Sequence, residues 1–264
     1  MVKKVAFING KGGCGKTTSI FHVSGVLASR GEKVLVIDMD KQRNSTRILL
    51  KENPEEVEKT FYDFMRGADI HEVVKKAYFR SRGNALPKYY GVDVLPSDKR
   101  FEDEKNLNYI DIEEKLNVFI EEQGYTWVLI DMPPSNKKIN DICFGQITDN
   151  VISPFSSDMF SIEGYDDLME IVNDARRTTG KSLNIIGIYL SRYDNRCGVD
   201  RFIREQLEEF DTYISEVQIP LMSDLREGCM FSRPMSFYKQ FSKSRAAYEK
   251  LTDVIEKRID ELNN

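Results

Sequence analysis

The stretch Gly10-Lys11-Gly12-Gly13-Cys14-Gly15-Lys16-Thr17-Thr18 constrains this chain more than any other. It fits G-x-x-x-x-G-K-[ST], with Gly10, Gly15, Lys16 and Thr17 in the fixed places. Val5-Ala6-Phe7-Ile8 before it reads as a buried strand. Residues 17–30 after it read as a helix, with Ile20, Val23, Leu27 and Ala28 at helical spacing. In that context glycines let the loop turn its N–H groups inward as a nest for phosphate oxygens. The helix N-terminus adds unpaired N–H groups and partial positive charge. Lys16 is expected to reach the β- and γ-phosphates of a nucleotide, and Thr17 to hold Mg²⁺ through its hydroxyl.

The 264 residues suit one large α/β domain, 1–264, with a mostly parallel twisted sheet and helices on both faces. With 41% hydrophobic and 31% charged residues, the composition is that of an ordinary globular protein. No apolar run approaches a membrane span. Met1-Val2-Lys3-Lys4 runs straight into the first strand, so no signal peptide is expected. Cys14, Cys143, Cys197 and Cys229 form no C-x-x-C pair, and with two histidines a zinc site is not expected; dispersed cysteines fit a reducing cytoplasm. A net charge of −5 argues against a surface that coats nucleic acid as a whole and leaves room for a local basic patch.

Residues 33–38 read as a second buried strand, parallel to the first through a right-handed crossover. It ends in Asp38-Met39-Asp40, at the sheet edge where open α/β sheets bind ligands. One of these carboxylates would steer the Mg²⁺ shell and the other orient an attacking water; the alternative for Asp40 is a solvated turn. Residues 55–66 and 70–78 read as helices, 80–84 as a turn and 91–97 as a strand stopped by Pro96. After a helix at 112–122, an apolar strand ends in Asp131, the Walker B pattern, and Asp131 is expected to bind Mg²⁺. Pro133 and Pro134 stiffen the loop that follows, a candidate switch. Strands at 151–154, 183–190 and 213–220 alternate with helices at 165–177 and 201–210, and 245–262 is a last helix.

Lys11 is a second lysine, ahead of the paired glycines. The form K-G-G-x-G-K-T-[ST] resembles the deviant Walker A ATPases. In that group this lysine reaches across a dimer interface to the partner's nucleotide, like an arginine finger; a solvated loop lysine is the alternative. Asp38, Asp40, Gln42 and Asn44 resemble the D-x-D-P-Q-x-N segment of the ParA family, in which the second aspartate is needed for hydrolysis. Lys41 replaces the family's proline, so a less rigid loop is expected there. Asp131, Pro133, Pro134 and Ser135 match its D-x-P-P-S strand end, and Pro154, Phe160, Ser161, Glu163 and Gly164 its following linker. Arg192 to Arg196 resembles its M-[YF]-D-x-R turn.

The resemblance runs from Val2 to about Lys257, weakly over 45–88, and points to the ParA/Soj type of DNA-partitioning ATPase. It implies ATP and Mg²⁺ as cofactors, with Lys11, Gly12, Gly13, Cys14, Gly15, Lys16, Thr17 and Thr18 around the phosphates. Thr17, Asp38 and Asp131 would serve the metal, and Lys11, Lys16 and Asp40 catalysis. The family's P-R-N-V-R-L-S-E survives only as Pro220, Leu225 and Glu227. Backbone contact of Pro220, Leu221 and Met222 with the base is therefore expected, and the usual asparagine contact is not. The resemblance further implies an ATP-dependent homodimer, non-specific DNA binding, a ParB-type centromere-binding partner that stimulates weak hydrolysis, and a cytoplasmic, nucleoid-associated location. For DNA, Arg196 matches a family arginine, a second falls at Asp224, and Arg226, Arg233, Lys243 and Arg245 are the candidates to compensate. Each has a solvated-surface alternative. A protein-cargo positioning ATPase, or a MinD-like one at a membrane site, is the alternative function. The last residues, of mixed charge and without an aromatic, disfavour the membrane. An iron–sulfur reductase is disfavoured because Cys143 lacks a suitably spaced second cysteine.

Overall fold

Val5 and Phe7 point to one side of the first strand and Ala6 to the other, and all three are fully buried. A strand apolar on both faces needs helices on each. The computed structural model, which describes residues 1–51, 53–81, 86–102, 112–134, 136–156, 161–239 and 241–263, has that arrangement. In chain order its elements are β1 (Lys3–Phe7), α1 (Lys16–Ser29), β2 (Val34–Asp38), α2 (Asn44–Leu50), α3 (Phe61–Met65), α4 (Ile70–Val73), β3 (Lys75–Phe79) and β4 (Lys88–Leu95). There follow α5 (Ile112–Gln123), β5 (Trp127–Asp131), α6 (Lys137–Gln146), β6 (Asn150–Phe155), α7 (Ser161–Thr179), β7 (Asn184–Tyr193) and α8 (Gly198–Leu207). The last are β8 (Tyr213–Pro220), α9 (Ser223–Met230), α10 (Met235–Tyr238) and α11 (Lys243–Leu262).

The strands form one eight-stranded sheet in the order β3-β4-β2-β5-β1-β6-β7-β8, and β3 alone runs antiparallel to its neighbour. Alternate residues divide the core. Val5, Phe7, Val34, Val36 and Leu129 cluster with Ile20 and Leu27 of α1 and Leu251 and Ile255 of α11. Ala6, Leu35, Ile37, Val128 and Ile130 cluster with Leu116 of α5, Phe144 of α6 and Leu168 of α7. β1 lies between β5 and β6, where the strand order reverses, so the loop after β1 opens into the crevice at the carboxyl edge. On α1, Gly25 lets a neighbouring turn close in: a Cβ there would sit 2.2 Å from Pro234.

Two expectations change. Residues 55–66 are a 3₁₀ turn at Pro54–Glu56 and the short α3, divided at Thr60, whose N–H donates to Asp63 Oδ2 (3.0 Å) in a capping box. Residues 70–78 are the single turn α4 and then β3, because Ala77 and Phe79 bury one face against the core with period 2 while β4 pairs alongside. The 80–84 turn beyond Ser81, Ser135 and Phe160 lie outside the described residues. No described helix is long and apolar enough to cross a membrane.

Candidate nucleotide site

The loop between β1 and α1 is held by side chains that its glycine spacing does not reveal. Asn9, buried, accepts from the Lys11 N–H (2.8 Å) and donates to the Pro154 carbonyl (2.8 Å). From the end of β7, Ser191 Oγ donates to the Cys14 carbonyl, and Arg192 Nη1 to the Gly13 carbonyl at 3.1 Å. A trans peptide points its N–H away from its carbonyl, so these anchors aim the N–H groups of Cys14 and Gly15 to the opposite side. Gly15 has φ 105°, the left-handed region, and a Cβ on it would meet Ser191 Oγ at 3.3 Å. Lys16 is buried, its ammonium donating to the carbonyls of Asn9 (3.3 Å) and Lys11 (3.2 Å). Lys11 itself is half-buried and Gly12 exposed.

Below the loop, Thr17 Oγ1 donates to Asp131 Oδ2 at 2.7 Å, and Ser45 Oγ donates to the same oxygen at 2.7 Å. The next residue of α2, Thr46, gives both its N–H and its hydroxyl to Asp38 Oδ2, each at 2.8 Å. The Asp40 N–H donates to Asp38 Oδ1 (3.1 Å). Asp38 and Asp131 are fully buried and in register across β2 and β5. Burial, and then the charge of Asp131, push the Asp38 carboxyl well above its ordinary range; burial also pushes Asp131 up, against the hydroxyls of Ser45 and Thr17. Asp131 Oδ1 is buried with no hydrogen-bond partner. Two destabilised carboxylates, one with a bare buried oxygen beside a threonine hydroxyl, are a hard-oxygen donor set that a divalent cation such as Mg²⁺ fits.

Asp40, 7% exposed, accepts the Gln42 N–H at 2.9 Å. The loop that carries Lys41 in place of proline is anchored another way. Arg43, buried, donates to Glu55 at 2.6 Å, and Lys99 bonds the same carboxylate. These two cations hold Glu55 down to about 2.

Beside the loop lies a 420 Å³ cavity that joins Gly13, Gly15 and Thr18 to Pro220, Leu221 and Met222. Arg192 and Arg226 face it, and Tyr248 of α11 also lines it. The Tyr189 hydroxyl donates to Ser19 (2.7 Å), itself 3.4 Å from the Tyr248 hydroxyl, which ties α1 to that wall.

The basic candidates do not converge. Arg196 is 91% exposed but grips Asp194 with two bonds (3.0 and 2.8 Å). Arg245 donates to Glu249 at 2.7 Å, and the Arg233 guanidinium lies over the rings of Phe231 and Tyr238. Arg226 and Lys243 are exposed. Asp224 is buried and accepts from the Ser244 hydroxyl (2.9 Å), so the position matched to an arginine is an internal one here. Sequence reasoning missed Asn9, Ser45, Thr46, Ser191 and Tyr248. Only Ser45-Thr46, following the second aspartate by a few residues, carried a signal: hydroxyls at the start of an unrecognised short helix.

The family model AAA_31, described as an AAA domain, matches residues 2–185. The chromosome partitioning protein ParA of Caulobacter vibrioides is 29% identical over 277 residues, covering 98% of this chain and 96% of that protein. Among solved structures, cobyrinic acid a,c-diamide synthase from Mycobacterium smegmatis with bound ADP and magnesium superposes with a TM-score of 0.76 at 18% identity, covering 98% of this chain and 96% of the other. A putative plasmid partition protein from Borrelia burgdorferi B31 bound to AMPPNP does so with 0.72 at 20%, covering 99% and 100%.

Proposed function

This chain belongs to the AAA_31 family of AAA-domain proteins, within the ParA/MinD superfamily of P-loop ATPases, and from that premise we propose that it is a DNA-partitioning ATPase. It hydrolyses ATP slowly, pairs with a second copy around two bound nucleotides, holds DNA without sequence preference in that state, and is reset when a ParB-type partner stimulates hydrolysis. The observation that carries this reading is the constellation of Thr17 with the buried Ser45, Thr46, Asp38 and Asp131 under a glycine loop that holds both Lys11 and Lys16.

Lys16 exchanges its carbonyl partners for the β- and γ-phosphates, and the N–H groups aimed by Ser191 and Arg192 cradle them. The adenosine occupies the cavity against Pro220, Leu221 and Met222. Thr17 and Asp131 would hold Mg²⁺, with Asp38 behind them, and the ion when bound would supply charge neutralisation at the transferred phosphoryl group. Asp40, anchored by its bond from Gln42, orients the attacking water. Lys11 is lent to the partner's nucleotide, so the γ-phosphate stabilises the dimer. Two subunits double the phosphate contacts to DNA, which raises affinity steeply.

The test is retention on non-specific duplex across a salt series, with ATP, ADP or no nucleotide. Asp40→Ala should stay dimeric and DNA-bound in ATP, and Lys11→Ala should neither dimerise nor bind. If ATP never alters DNA retention at low salt, the partition reading fails and positioning of a protein cargo replaces it.

A further inference from the structure

Two helices leave the nucleotide site and end at the same place on the surface. α2 carries Ser45 and Thr46 in its first turn, bonded to Asp131 and Asp38, and is capped at its other end by Lys51. α9 begins at the cavity, with Ser223 and Arg226 in its lining, and ends at Met230. Each spans roughly 10 Å at 1.5 Å per residue. At the far ends the two helices are bonded together: Lys51 Nζ donates to the Met230 carbonyl (2.7 Å) and Ser232 Oγ to the Ile48 carbonyl (2.7 Å). β3 joins them, because the Arg80 N–H donates to the Ser232 carbonyl (3.0 Å).

This junction gathers cations around an exposed ring. The Lys51 ammonium and the Arg233 guanidinium each lie 5.7 Å from the centre of the Phe231 ring, which is 43% exposed. Arg80 is exposed beside them. Burial, and after it the charges of Arg80 and Arg233, hold Lys51 below its ordinary value, so the three cations feel one another. The carboxylate nearest along α9, Glu227, is engaged by the Tyr238 hydroxyl (2.6 Å) and Lys239 (4.0 Å). The Lys51 ammonium is fixed by the Met230 carbonyl within reach of the charges of Arg80 and Arg233, and a partner with closely spaced negative charges relieves that repulsion. A phosphodiester backbone has that spacing, and the ring between the cations offers a face to sugar or base.

We propose that Lys51, Arg80 and Arg233, with Phe231 between them, form the nucleic-acid contact surface of this protein, and that α2 and α9 tie its geometry to the occupancy of the nucleotide site. The inference rests on the DNA-partitioning reading and locates its DNA surface. It moves that surface away from Arg196 and Arg245, whose charges Asp194 and Glu249 already engage. It also gives the ATP dependence a route within each subunit: a shift of Ser45 and Thr46 on metal binding, or of Ser223 and Arg226 on base binding, moves one end of a short rigid helix whose other end is the patch.

The test compares the full-length wild type with Arg80→Ala, Lys51→Ala/Arg80→Ala, Phe231→Ala and Arg196→Ala on random-sequence duplex, with ATP and Mg²⁺ or ADP, over a salt series. Arg80 makes its structural bond through the backbone, so Arg80→Ala leaves the junction intact. The double variant should bind about ten-fold more weakly or worse at ~0.1 M salt. The slope of log affinity against log salt should fall by about 1.8 for Arg80→Ala and about 3.6 for the double variant, since each substitution removes a contact from both subunits of the dimer. Phe231→Ala should lose affinity at an unchanged slope, Arg80→Ala should keep the wild-type unfolding temperature, and all variants should keep basal ATP turnover. Unchanged affinity and slope in the Arg80 and double variants, with loss in Arg196→Ala, overturns the inference while the partition reading stands. A wild type that never retains duplex overturns that reading first. Binding of polyglutamate by a wild type that ignores duplex, lost in the double variant, would mark the patch as a protein-docking site and overturn the inference too.

Discussion

Asp38 and Asp131 face each other in register at the ends of adjacent parallel strands, both fully buried, and each is held by one of two consecutive hydroxyl residues of α2. β2 and β5 bring the two carboxylates together, and Ser45 and Thr46 reach down to them. The pair costs the protein stability on its own, because two like charges share a dry site. That cost is what a bound divalent cation reverses.

Asp131→Asn should therefore stabilise the protein and disable it. Asp131 Oδ2 takes both hydroxyl bonds and Oδ1 takes none, so an asparagine can keep the oxygen on Ser45 and Thr17 and place its NH₂ at the bare position. Removing a carboxylate whose charge burial disfavours is worth about 1–3 kcal/mol, or roughly 2–10 °C in melting temperature without metal for a chain of this size. The sign follows from the raised carboxyl, at about 6 in the folded state against about 3.9 unfolded. The folded protein holds the extra proton, so wild-type stability falls as pH rises through that window, and the variant lacks the fall. Mg²⁺-dependent ATP turnover should drop at least ~100-fold, measured beside the melting curves. A variant less stable than wild type at pH 7 without metal would contradict the account.

Ser191 should govern how tightly nucleotide is held rather than how fast it reacts. Its hydroxyl fixes the Cys14 carbonyl and touches neither the metal ligands nor Asp40. Ser191→Ala removes one buried hydrogen bond, worth about 1–2 kcal/mol, so KM for ATP should rise roughly 5–30-fold with kcat changed less than about two-fold. Ser191→Thr keeps the hydroxyl and should recover most of the affinity. A fall in kcat at unchanged KM would show that the loop is set by something else.

What was legible in the sequence divides along a physical line. The glycine loop, both aspartate-ended strands and the long amphipathic helices are local patterns, and the structure has them where the residues say. α2, α6 and α9 were not legible. Each is a short helix begun by Asn, Lys or Ser, residues that read equally well as loop, and each is fixed by tertiary contacts such as Ser45 to Asp131. The sequence reads as helix over β3 because five residues with two buried positions show no decisive period; its edge pairing with β4 decides it. The clamps on the glycine loop come from Asn9 and from Ser191, 177 residues away from the carbonyl it holds, a separation no local pattern carries.

Asp224 gives a sharper instance. Aligned to an arginine, it suggests a reversed charge on a binding surface, yet it is 4% exposed and bonded to Ser244 at the start of α11. Asp224→Arg should therefore not improve DNA retention. It forces a long cation into a closed site and takes the carboxylate acceptor from the buried Ser244 hydroxyl, which should cost about 3 kcal/mol or more. Urea unfolding reads the cost directly. Tighter DNA binding at wild-type stability would mean that the side chain turns outward and that the internal role is wrong.

His22 sets the acid limit of stability. It is 1% exposed on α1, its ring 4.8 Å from Tyr248, and Nδ1 accepts the Met235 N–H at 3.3 Å, which fixes it neutral. Burial pushes its pKa down to about 3. Above about 6.5, the unfolded value, neither state binds the proton and His22 adds no pH dependence. Below it the unfolded chain takes up the proton and the folded one does not, so stability is lost progressively as pH falls toward 3, by on the order of 4 kcal/mol in all. Asp131 acts with the opposite sign over pH 4 to 6, Asp38 is raised in the same sense, and both mask part of this loss in the wild type. His22→Asn, which offers an amide oxygen to the Met235 N–H, should lower stability by a constant amount at neutral pH and flatten the decline below 6.5 by up to ~1.4 kcal/mol per pH unit. Urea midpoints from pH 7.5 to 4.5 in wild type, His22→Asn, Asp131→Asn and the double variant separate the two contributions. The steepest acid limb should belong to Asp131→Asn alone, and a limb unchanged by His22→Asn would place the titrating group elsewhere.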